Sequence, residues 1–277
     1  MKKLNSEISR FFDLSNRNIV LTGSAGLLGY QYAHILSQAG ANVILVDINR
    51  TKNKQLEKEL VQKYNTKPRA YYADISKKIQ VQNLRKAIVS RYKKIDGLVN
   101  NAAFTTKGSQ TISSKTYLPF EKFPSEIWDQ SLAINLTGIF YCCQEFGNVM
   151  LQQKKGVIVN ISSTYGLVGA DQRIYGKSKL NLPISYAATK GAIVNLTRYL
   201  AAYWQGKNIR VNTLSPGGVL DTTYQTKEFV KQYSKKTMLG RMAKKNEYNG
   251  ALLFLVSDAS SYMTGSNLVI DGGWTAW

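Results

Sequence analysis

The chain has 277 residues, of which 44% are hydrophobic and 19% are charged, a composition that indicates a globular protein and argues against a disordered or fibrous one. Its net charge is +20, but the lysines are scattered and no nucleic-acid-binding module accompanies them, so we expect solvated helix faces or an acidic substrate rather than nucleic acid. No apolar run reaches the roughly 18 residues of a membrane span, and the start lacks a signal peptide's apolar core, which predicts a cytoplasmic protein with no membrane partner.

Short apolar runs alternate with segments of helical periodicity along the whole chain. The first run, at 18–21, ends at a glycine-rich turn, and helical patterns follow at 27–38 and 51–64. The later runs lie at 43–46, 69–72, 97–99, 157–159, 210–214 and 268–270. Short apolar strands that alternate with helices are typical of a parallel sheet covered on both faces. We therefore predict an α/β protein, with a single doubly wound Rossmann domain of about seven strands over residues 1–277.

Two polar and irregular segments interrupt this alternation, at residues 104–124 and 169–183. Each follows the carboxyl end of a predicted strand, where ligands bind in open α/β sheets. We predict that both are insertions that form substrate loops.

The turn after the first strand has the features of a dinucleotide site. Residues 22–29 read T-G-S-A-G-L-L-G, and such glycines let the backbone approach a pyrophosphate at a helix N-terminus, although they also serve plain turns. Asp47 ends the second strand, where a carboxylate can accept both hydroxyls of an adenosine ribose and repel a 2′-phosphate. The pattern favours NAD over NADP, whereas Arg50 favours NADP.

A tyrosine and a lysine supply the predicted proton chemistry. A redox reaction at a hydroxyl or carbonyl group needs a residue that exchanges a proton with the substrate oxygen. Lys190 follows Tyr186 by one helical turn and can lower the tyrosine pKa from about 10 toward 7, helped by a positive nicotinamide. The same spacing begins at Tyr175, but Gly176 and Pro183 disrupt a helix there, whereas Tyr186 opens a long helical pattern.

The chain resembles the short-chain dehydrogenase/reductase superfamily, in its compact single-domain branch, over nearly its whole length. The residues that carry the likeness are N-N-A-A at 100–103, Asn135 in I-N-L-T-G, Ser163 in N-I-S-S, Tyr186 with Lys190, S-P-G-G-V at 215–219 and D-G-G at 271–273. The resemblance implies that Tyr186 is the catalytic acid/base and that Lys190 holds the nicotinamide ribose. It also implies that Ser163 orients the substrate oxygen, that Asn135 fixes a water in a proton relay, and that Val219 contacts the carboxamide.

The candidate site therefore has two parts. The candidate catalytic residues are Asn135, Ser163, Tyr186 and Lys190. The candidate cofactor-binding residues are Gly23, Ser24, Gly26, Leu27, Leu28, Gly29, Asp47, Asp74, Ile75, Asn101, Ala102, Ala103, Tyr186, Lys190, Pro216, Gly217 and Val219. We predict no metal site, because His34 is the only histidine.

These residues predict an NAD-dependent oxidoreductase that transfers a hydride between nicotinamide and a hydroxyl or carbonyl group of a polar, sugar-like substrate. The alternative is a catalytically silent NAD-binding sensor or scaffold, against which the complete catalytic set argues. The family resemblance implies a homo-oligomer, either a tetramer or a dimer.

A narrower resemblance concerns the segment from Asp171 to Tyr186 and the ending from Asp271 to Trp277. Both are similar to oxidoreductases of flagellin modification and nonulosonic-acid pathways. The candidate partners for a carboxylate or phosphate of such a substrate are Lys107, Arg173, Lys177 and Lys179, which can equally be ordinary loop charges.

Two remaining features of the sequence can be explained by packing in the interior of the protein. Cys142 and Cys143 are adjacent in a helical segment, so we expect them to pack in the interior without a disulfide. Trp274 and Trp277 either cover a neighbouring subunit's pocket or fill the core.

Overall fold

Seven parallel strands form one sheet in the computed structural model, which describes residues 6–105, 118–178, 181–223 and 225–277. The strands are β1 (Asn18–Thr22), β2 (Asn42–Asp47), β3 (Arg69–Tyr72), β4 (Gly97–Asn100), β5 (Gly156–Ile161), β6 (Ile209–Pro216) and β7 (Asn267–Ile270). Their order in the sheet is β3-β2-β1-β4-β5-β6-β7, and every neighbouring pair is parallel. The predicted doubly wound sheet of seven strands is confirmed.

Helices cover both faces of the sheet. Within the described ranges they are α1 (Ser6–Phe12), α2 (Leu27–Gln38), α3 (Arg50–Lys63), α4 (Lys78–Tyr92), α5 (Ser125–Leu132), α6 (Gly138–Gln153), α7 (Ile184–Tyr203), α8 (Lys227–Lys235) and α9 (Asn249–Val256). None of these is both long enough and apolar enough to cross a membrane. The helical patterns at 27–38 and 51–64 correspond to α2 and α3.

The pleat of the strands divides the interior into two cores. In β1, Val20 packs in a cluster with residues of α4, α6 and α7, whereas Ile19 and Leu21 pack in a second cluster with residues of α2, α3 and α9. Successive side chains of a strand point to opposite faces, so a run that is buried on both faces is apolar throughout. This requirement explains why the strands could be recognised as short continuous apolar runs.

Buried polar side chains tie α7 to the centre of the sheet. Asn100 Nδ2 donates to Asn160 Oδ1 at 2.8 Å, and Asn160 Nδ2 donates to Thr197 Oγ1 at 2.9 Å. Thr213 Oγ1 is 2.8 Å from the same Thr197 hydroxyl. These contacts link β4, β5 and β6 to the helix that carries Tyr186.

The adjacent cysteines of α6 belong to the interior. Cys142 and Cys143 are buried with free thiols, and burial raises the pKa of both. The prediction that they pack without a disulfide is confirmed.

The strand order reverses between β1 and β4, which is the position where open α/β sheets bind their ligands. The glycine turn follows β1 at this point, and the predicted loops follow β4 and β5. Residues 106–117 of the first loop and 179–180 of the second lie outside the described residues. The second loop contains a 3₁₀ segment, Gln172–Ser178.

Candidate active site

The glycine turn is shaped by two close backbone approaches. Gly23 has φ +65°, and a Cβ atom there would lie 2.6 Å from Ala102 Cα. A Cβ atom on Gly29 would lie 2.0 Å from the carbonyl oxygen of Gly23, so α2 starts against the turn itself. Gly26 precedes α2 without a side-chain cap, and the first N–H groups of a helix lack intrahelical partners. The turn therefore fits a pyrophosphate group.

A cleft of about 930 Å³ runs along the carboxyl edge of the sheet from β3 to β6. Its size suits a ligand of dinucleotide class. The predicted cofactor-binding residues that line it are Gly23, Gly26, Leu27, Leu28, Asp47, Asp74, Ile75, Asn101, Ala102, Ala103, Tyr186, Lys190, Pro216, Gly217 and Val219.

Two predicted cofactor-binding residues, Ser24 and Gly29, do not line the cleft. Ser24 is fully buried, and its hydroxyl donates to Asn53 Oδ1 at 2.7 Å. Gly29 faces the backbone of the turn. In this structure both residues support the shape of the turn from behind.

Asp47 lies at the end of the cleft formed by β1 and β2. Its Oδ2 accepts the N–H of Ala25 at 2.9 Å, and its Oδ1 accepts the N–H of Asn49 at 2.8 Å. Arg50, the residue that favoured NADP, does not line the cleft, because its guanidinium stacks over Tyr72, 4.1 Å from the ring centroid.

A cation that sequence reasoning missed lies at the same end. Lys52 lines the cleft from the first turn of α3, which Asn49 caps. The periodicity of α3 could have indicated it, since residues in a helix's first turn after a strand point toward the sheet edge.

The candidate proton-transfer residues meet at the ends of β5 and α7. Tyr186 is hydrogen-bonded to Ser163. Lys190 is buried, its Nζ donates to the carbonyl oxygen of Ile161 at 2.7 Å, and it lies 5.6 Å from the centroid of the Tyr186 ring. This arrangement brings together a phenol, a hydroxyl and an ammonium group in one part of the cleft.

Burial dominates the acid strength of both ionisable groups in this trio. It raises the pKa of Tyr186, and the hydrogen bond with Ser163 opposes this only in part. Burial lowers the pKa of Lys190 to about 8. The net direction of the Tyr186 shift is therefore upward in this structure, because desolvation of the phenolate outweighs the interaction with Ser163.

Local backbone structure distinguishes the two tyrosines. Helix α7 begins directly after Pro183, and Tyr186 is its third residue. Lys190, four residues later, therefore lies on the same helix face. Tyr175 lies in the 3₁₀ segment, which Gly176 interrupts with φ +53° and ψ −134°. Tyr175 nevertheless lines the cleft, in agreement with a place in a substrate loop.

Asn135 is buried in a π-helical turn, Ala133–Thr137, between α5 and α6. Its Oδ1 accepts the N–H of Phe104 at 2.6 Å, and its Nδ2 donates to the Phe104 carbonyl at 3.3 Å. π-Helical turns are rare and are frequent at functional sites. The side chain itself does not line the cleft, and both of its ends are bonded to the segment that follows β4.

Aromatic residues cover the other end of the cleft. We call this group the cover cluster, and its members are Tyr165, Ile174, Tyr175, Leu220, Phe229, Val230, Tyr233, Met242 and Trp274. Tyr175 stacks on Phe229 with centroids 5.3 Å apart, and Tyr233 stacks on Trp274 at 4.3 Å. Phe229 and Tyr233 come from α8, a helix that sequence reasoning did not assign to the site.

The two tryptophans near the C-terminus differ in burial. Trp274 is 8% exposed and packs in the cover cluster of its own chain, which agrees with the core-filling alternative. Trp277 is exposed, and its Nε1 donates to the carbonyl oxygen of Lys236 at 3.1 Å.

The loop cations do not form an anion site in the described residues. Arg173 pairs with Asp171 through two hydrogen bonds of 2.8 and 2.9 Å, and Lys236 pairs with the same carboxylate. Lys107, Lys179 and the side chain of Lys177 lie outside the described residues. Among the described residues that line the cleft, the cations are Lys52 and Lys190.

Comparison with known proteins places this geometry in a family. The family model described as enoyl-(acyl carrier protein) reductase matches residues 23–275. The chain is 34% identical to the NAD-dependent glycerol dehydrogenase of Listeria innocua, over 95% of this chain and 96% of the relative. It is 32% identical to the D-threitol dehydrogenase of Mycolicibacterium smegmatis, over 97% of each protein.

A solved structure agrees with these relatives. The gluconate 5-dehydrogenase of Burkholderia cenocepacia, in complex with NADP and tartrate, matches with a TM-score of 0.85 and 28% identity, over 98% of this chain and 99% of that chain. Fold, cleft and similarity over nearly the full length agree. The chain belongs to the short-chain dehydrogenase/reductase superfamily and is a nicotinamide-dependent oxidoreductase that acts on a hydroxyl or carbonyl group.

Proposed function

We propose that this enzyme interconverts a secondary alcohol and a ketone on a neutral, hydroxyl-rich substrate of the polyol or ketose class, with Tyr186 as the acid/base. The observation that carries the proposal is the meeting of Tyr186, Ser163 and Lys190 inside the cleft. Polyol substrates in the names of two relatives support the substrate class.

The groups that line the substrate end of the cleft favour a neutral substrate. The described lining of that end carries hydroxyl and amide groups beside aromatic rings, with Lys190 as the cation nearest to Tyr186 and with the carboxylate of Asp221 as a further charged group. Arg173 is neutralised by Asp171 and does not line the cleft. A carboxylate or phosphate in this part of the cleft would have to be desolvated without an arginine partner, which is costly.

The bound nicotinamide supplies or accepts the hydride, which leaves the proton to the chain's own residues. Tyr186 exchanges that proton through its phenolic oxygen, and Ser163, hydrogen-bonded to it, orients the substrate oxygen beside it. Lys190, held by the Ile161 carbonyl, binds the ribose and adds positive charge near the phenol. Asn135 holds the segment after β4 in place through its hydrogen bonds with Phe104. In this proposal the water of the proton relay, which the family resemblance implies, binds at the π-helical turn that carries Asn135.

NAD is the preferred cofactor in this proposal. Asp47 lines the cleft at the end of β2, and a carboxylate at this position supports NAD because it would repel a 2′-phosphate. Arg50 is occupied with Tyr72. Lys52 is the group that could offset the repulsion, so the preference rests on Asp47 outweighing Lys52.

We further propose that the enzyme is a single-domain, cytoplasmic homo-oligomer. Exposed aromatic residues on α7, Tyr199 and Tyr203, stack on each other with centroids 6.0 Å apart and support association through that helix. Light scattering of the purified protein measures the oligomeric state directly.

The decisive experiment measures turnover and cofactor binding for Tyr186→Phe. NADH oxidation is first screened against ketoses and small ketones, and NAD reduction against polyols. We expect Tyr186→Phe to lose about 10²- to 10⁴-fold in kcat, because the phenolic proton is gone, and to bind NADH nearly as well as the wild type. Tyr175→Phe is the comparison variant: we expect it to keep kcat, because it leaves the proton-transfer residues intact, and to raise KM for the substrate, because Tyr175 lines the cleft. Normal turnover by Tyr186→Phe would refute the assignment.

A further inference from the structure

The turn that follows β6 carries two consecutive glycines, Gly217 and Gly218, and both line the cleft. A peptide unit between two glycines rotates at low cost, because neither residue has a Cβ atom to restrict it. The nicotinamide end of the cleft is therefore bounded by a peptide that the local sequence does not fix. Its orientation has to come from outside the turn.

Two tyrosine hydroxyls hold this one peptide from opposite ends. Tyr248, which precedes α9, donates its hydroxyl proton to the carbonyl oxygen of Gly217 at 3.0 Å. Tyr233, from α8, accepts the N–H of Gly218 at 2.6 Å. The carbonyl of Gly217 and the N–H of Gly218 belong to the same peptide unit, so a flip would break both hydrogen bonds at once.

Packing allows this arrangement only with glycine at both positions. A Cβ atom on Gly218 would lie 2.4 Å from Tyr233 Cζ, and one on Gly217 would lie 2.8 Å from Asp271 Cα. The Tyr233 ring thus fills the space in which a side chain at 218 would lie. Glycine is therefore required at 218 because the Tyr233 ring lies there, and the hydroxyl of the same ring holds the flexible peptide in one orientation.

Burial keeps both phenols in the form that these contacts need. Tyr233 and Tyr248 are 2% and 1% exposed. Burial raises the pKa of Tyr233 to about 12 and also raises that of Tyr248. Tyr248 therefore keeps the proton that it donates, and neither residue is suited to exchange a proton with substrate near neutral pH.

Tyr233 also reaches the candidate catalytic segment. Its hydroxyl is hydrogen-bonded to the side chain of Thr164, the residue after Ser163, and its ring stacks on Trp274 in the cover cluster. A single side chain thus joins α8, the glycine peptide and the end of β5.

We infer that Tyr233 and Tyr248 are positioning residues that clamp the Gly217–Gly218 peptide and thereby fix the nicotinamide end of the cleft. The inference rests on the proposed function for the location of the nicotinamide. It predicts that the clamp matters for the nicotinamide half of the cofactor and not for the adenosine half, which would bind near Asp47 at the other end of the cleft.

The test compares binding of NADH with binding of ADP-ribose, which lacks nicotinamide, in Tyr233→Phe, Tyr248→Phe and wild type. We expect each variant to bind NADH about three- to tenfold more weakly, because a neutral hydrogen bond is lost, and to bind ADP-ribose within about twofold of wild type. Unchanged ADP-ribose binding also shows that the variant is folded. Titration calorimetry gives both dissociation constants without turnover.

Tyr32→Phe is the matched control. Tyr32 is also fully buried, and its hydroxyl has no hydrogen-bond partner among the residues that the structure describes. We expect this variant to bind both ligands like wild type. Equal weakening of NADH and ADP-ribose by either clamp variant, or unchanged NADH binding, would overturn the inference. The proposed reaction is judged separately, by turnover of Tyr186→Phe.

Discussion

Thr197→Val removes the hydroxyl on which the buried polar contacts of α7 converge. Thr197, Asn160 and Thr213 are all fully buried. The Thr197 hydroxyl accepts from Asn160 Nδ2 at 2.9 Å and pairs with Thr213 Oγ1 at 2.8 Å. Valine has nearly the same shape, so the change leaves two buried polar groups unsatisfied and opens almost no cavity.

The expected loss follows from those two groups. A buried donor or acceptor without a partner costs about 1–3 kcal/mol, and the Thr213 hydroxyl can rotate toward another acceptor while the Asn160 amide is fixed. We therefore expect Thr197→Val to lower the free energy of unfolding by roughly 2–4 kcal/mol. Thr197→Ser keeps the hydroxyl and loses one methyl group, for which we expect about 1 kcal/mol.

Urea unfolding at one fixed protein concentration measures both variants, since association shifts apparent stability. Circular dichroism and tryptophan fluorescence report whether the transition is cooperative. The reasoning requires valine to destabilise more than serine. If serine were the more destabilising substitution, methyl packing rather than the polar contacts would hold α7 against the sheet.

Two further predictions concern charge. Under the proposed NAD preference, Asp47→Asn removes the carboxylate that would repel a 2′-phosphate, so the ratio of kcat/KM for NADPH to that for NADH should rise about tenfold. The ratio is measured at fixed ionic strength, and Lys52→Gln, which should lower it, is the opposing control. An unchanged ratio in Asp47→Asn would show that Asp47 does not select the cofactor. Arg173 and Lys236 hold the pKa of Asp171 well below its usual range. These ion pairs therefore stabilise the folded state at neutral pH, and that stabilisation is lost as the pH falls below about 4 and the carboxylate is protonated. Melting temperatures should therefore fall less between pH 6 and pH 3 for Asp171→Asn than for wild type, and equal falls would contradict this role.

The sheet was predictable because its five inner strands are buried on both faces and therefore read as apolar runs, whereas the edge strands β3 and β7 are more exposed. The choice of Tyr186 over Tyr175 was predictable for a similar local reason, since Pro183 and Gly176 restrict their own backbone. Ser24 and Gly29 show the limit of a motif. The glycine pattern identifies a turn, but only the folded chain shows which of its residues face the ligand.

Tertiary contacts determine what the sequence could not indicate. Phe229 and Tyr233 line the cleft because α8 packs against the 3₁₀ segment Gln172–Ser178 and against Trp274, and their spacing on that helix predicts only an amphipathic face. The clamp joins residues 217, 218, 233 and 248, which no short motif relates. The acid strength of Tyr186 also depends on burial, which spacing to Lys190 does not reveal.

The cover cluster is a third small core, separate from the two that pack against the sheet. Its members come from segments after β5, β6 and β7, whereas the end of the cleft near Asp47 is built by β1, β2 and their turns. We therefore expect that the cover cluster can be varied without repacking the sheet or changing the end of the cleft near Asp47. Libraries that vary Tyr175, Phe229 and Met242 should consequently change substrate range at little cost in folding.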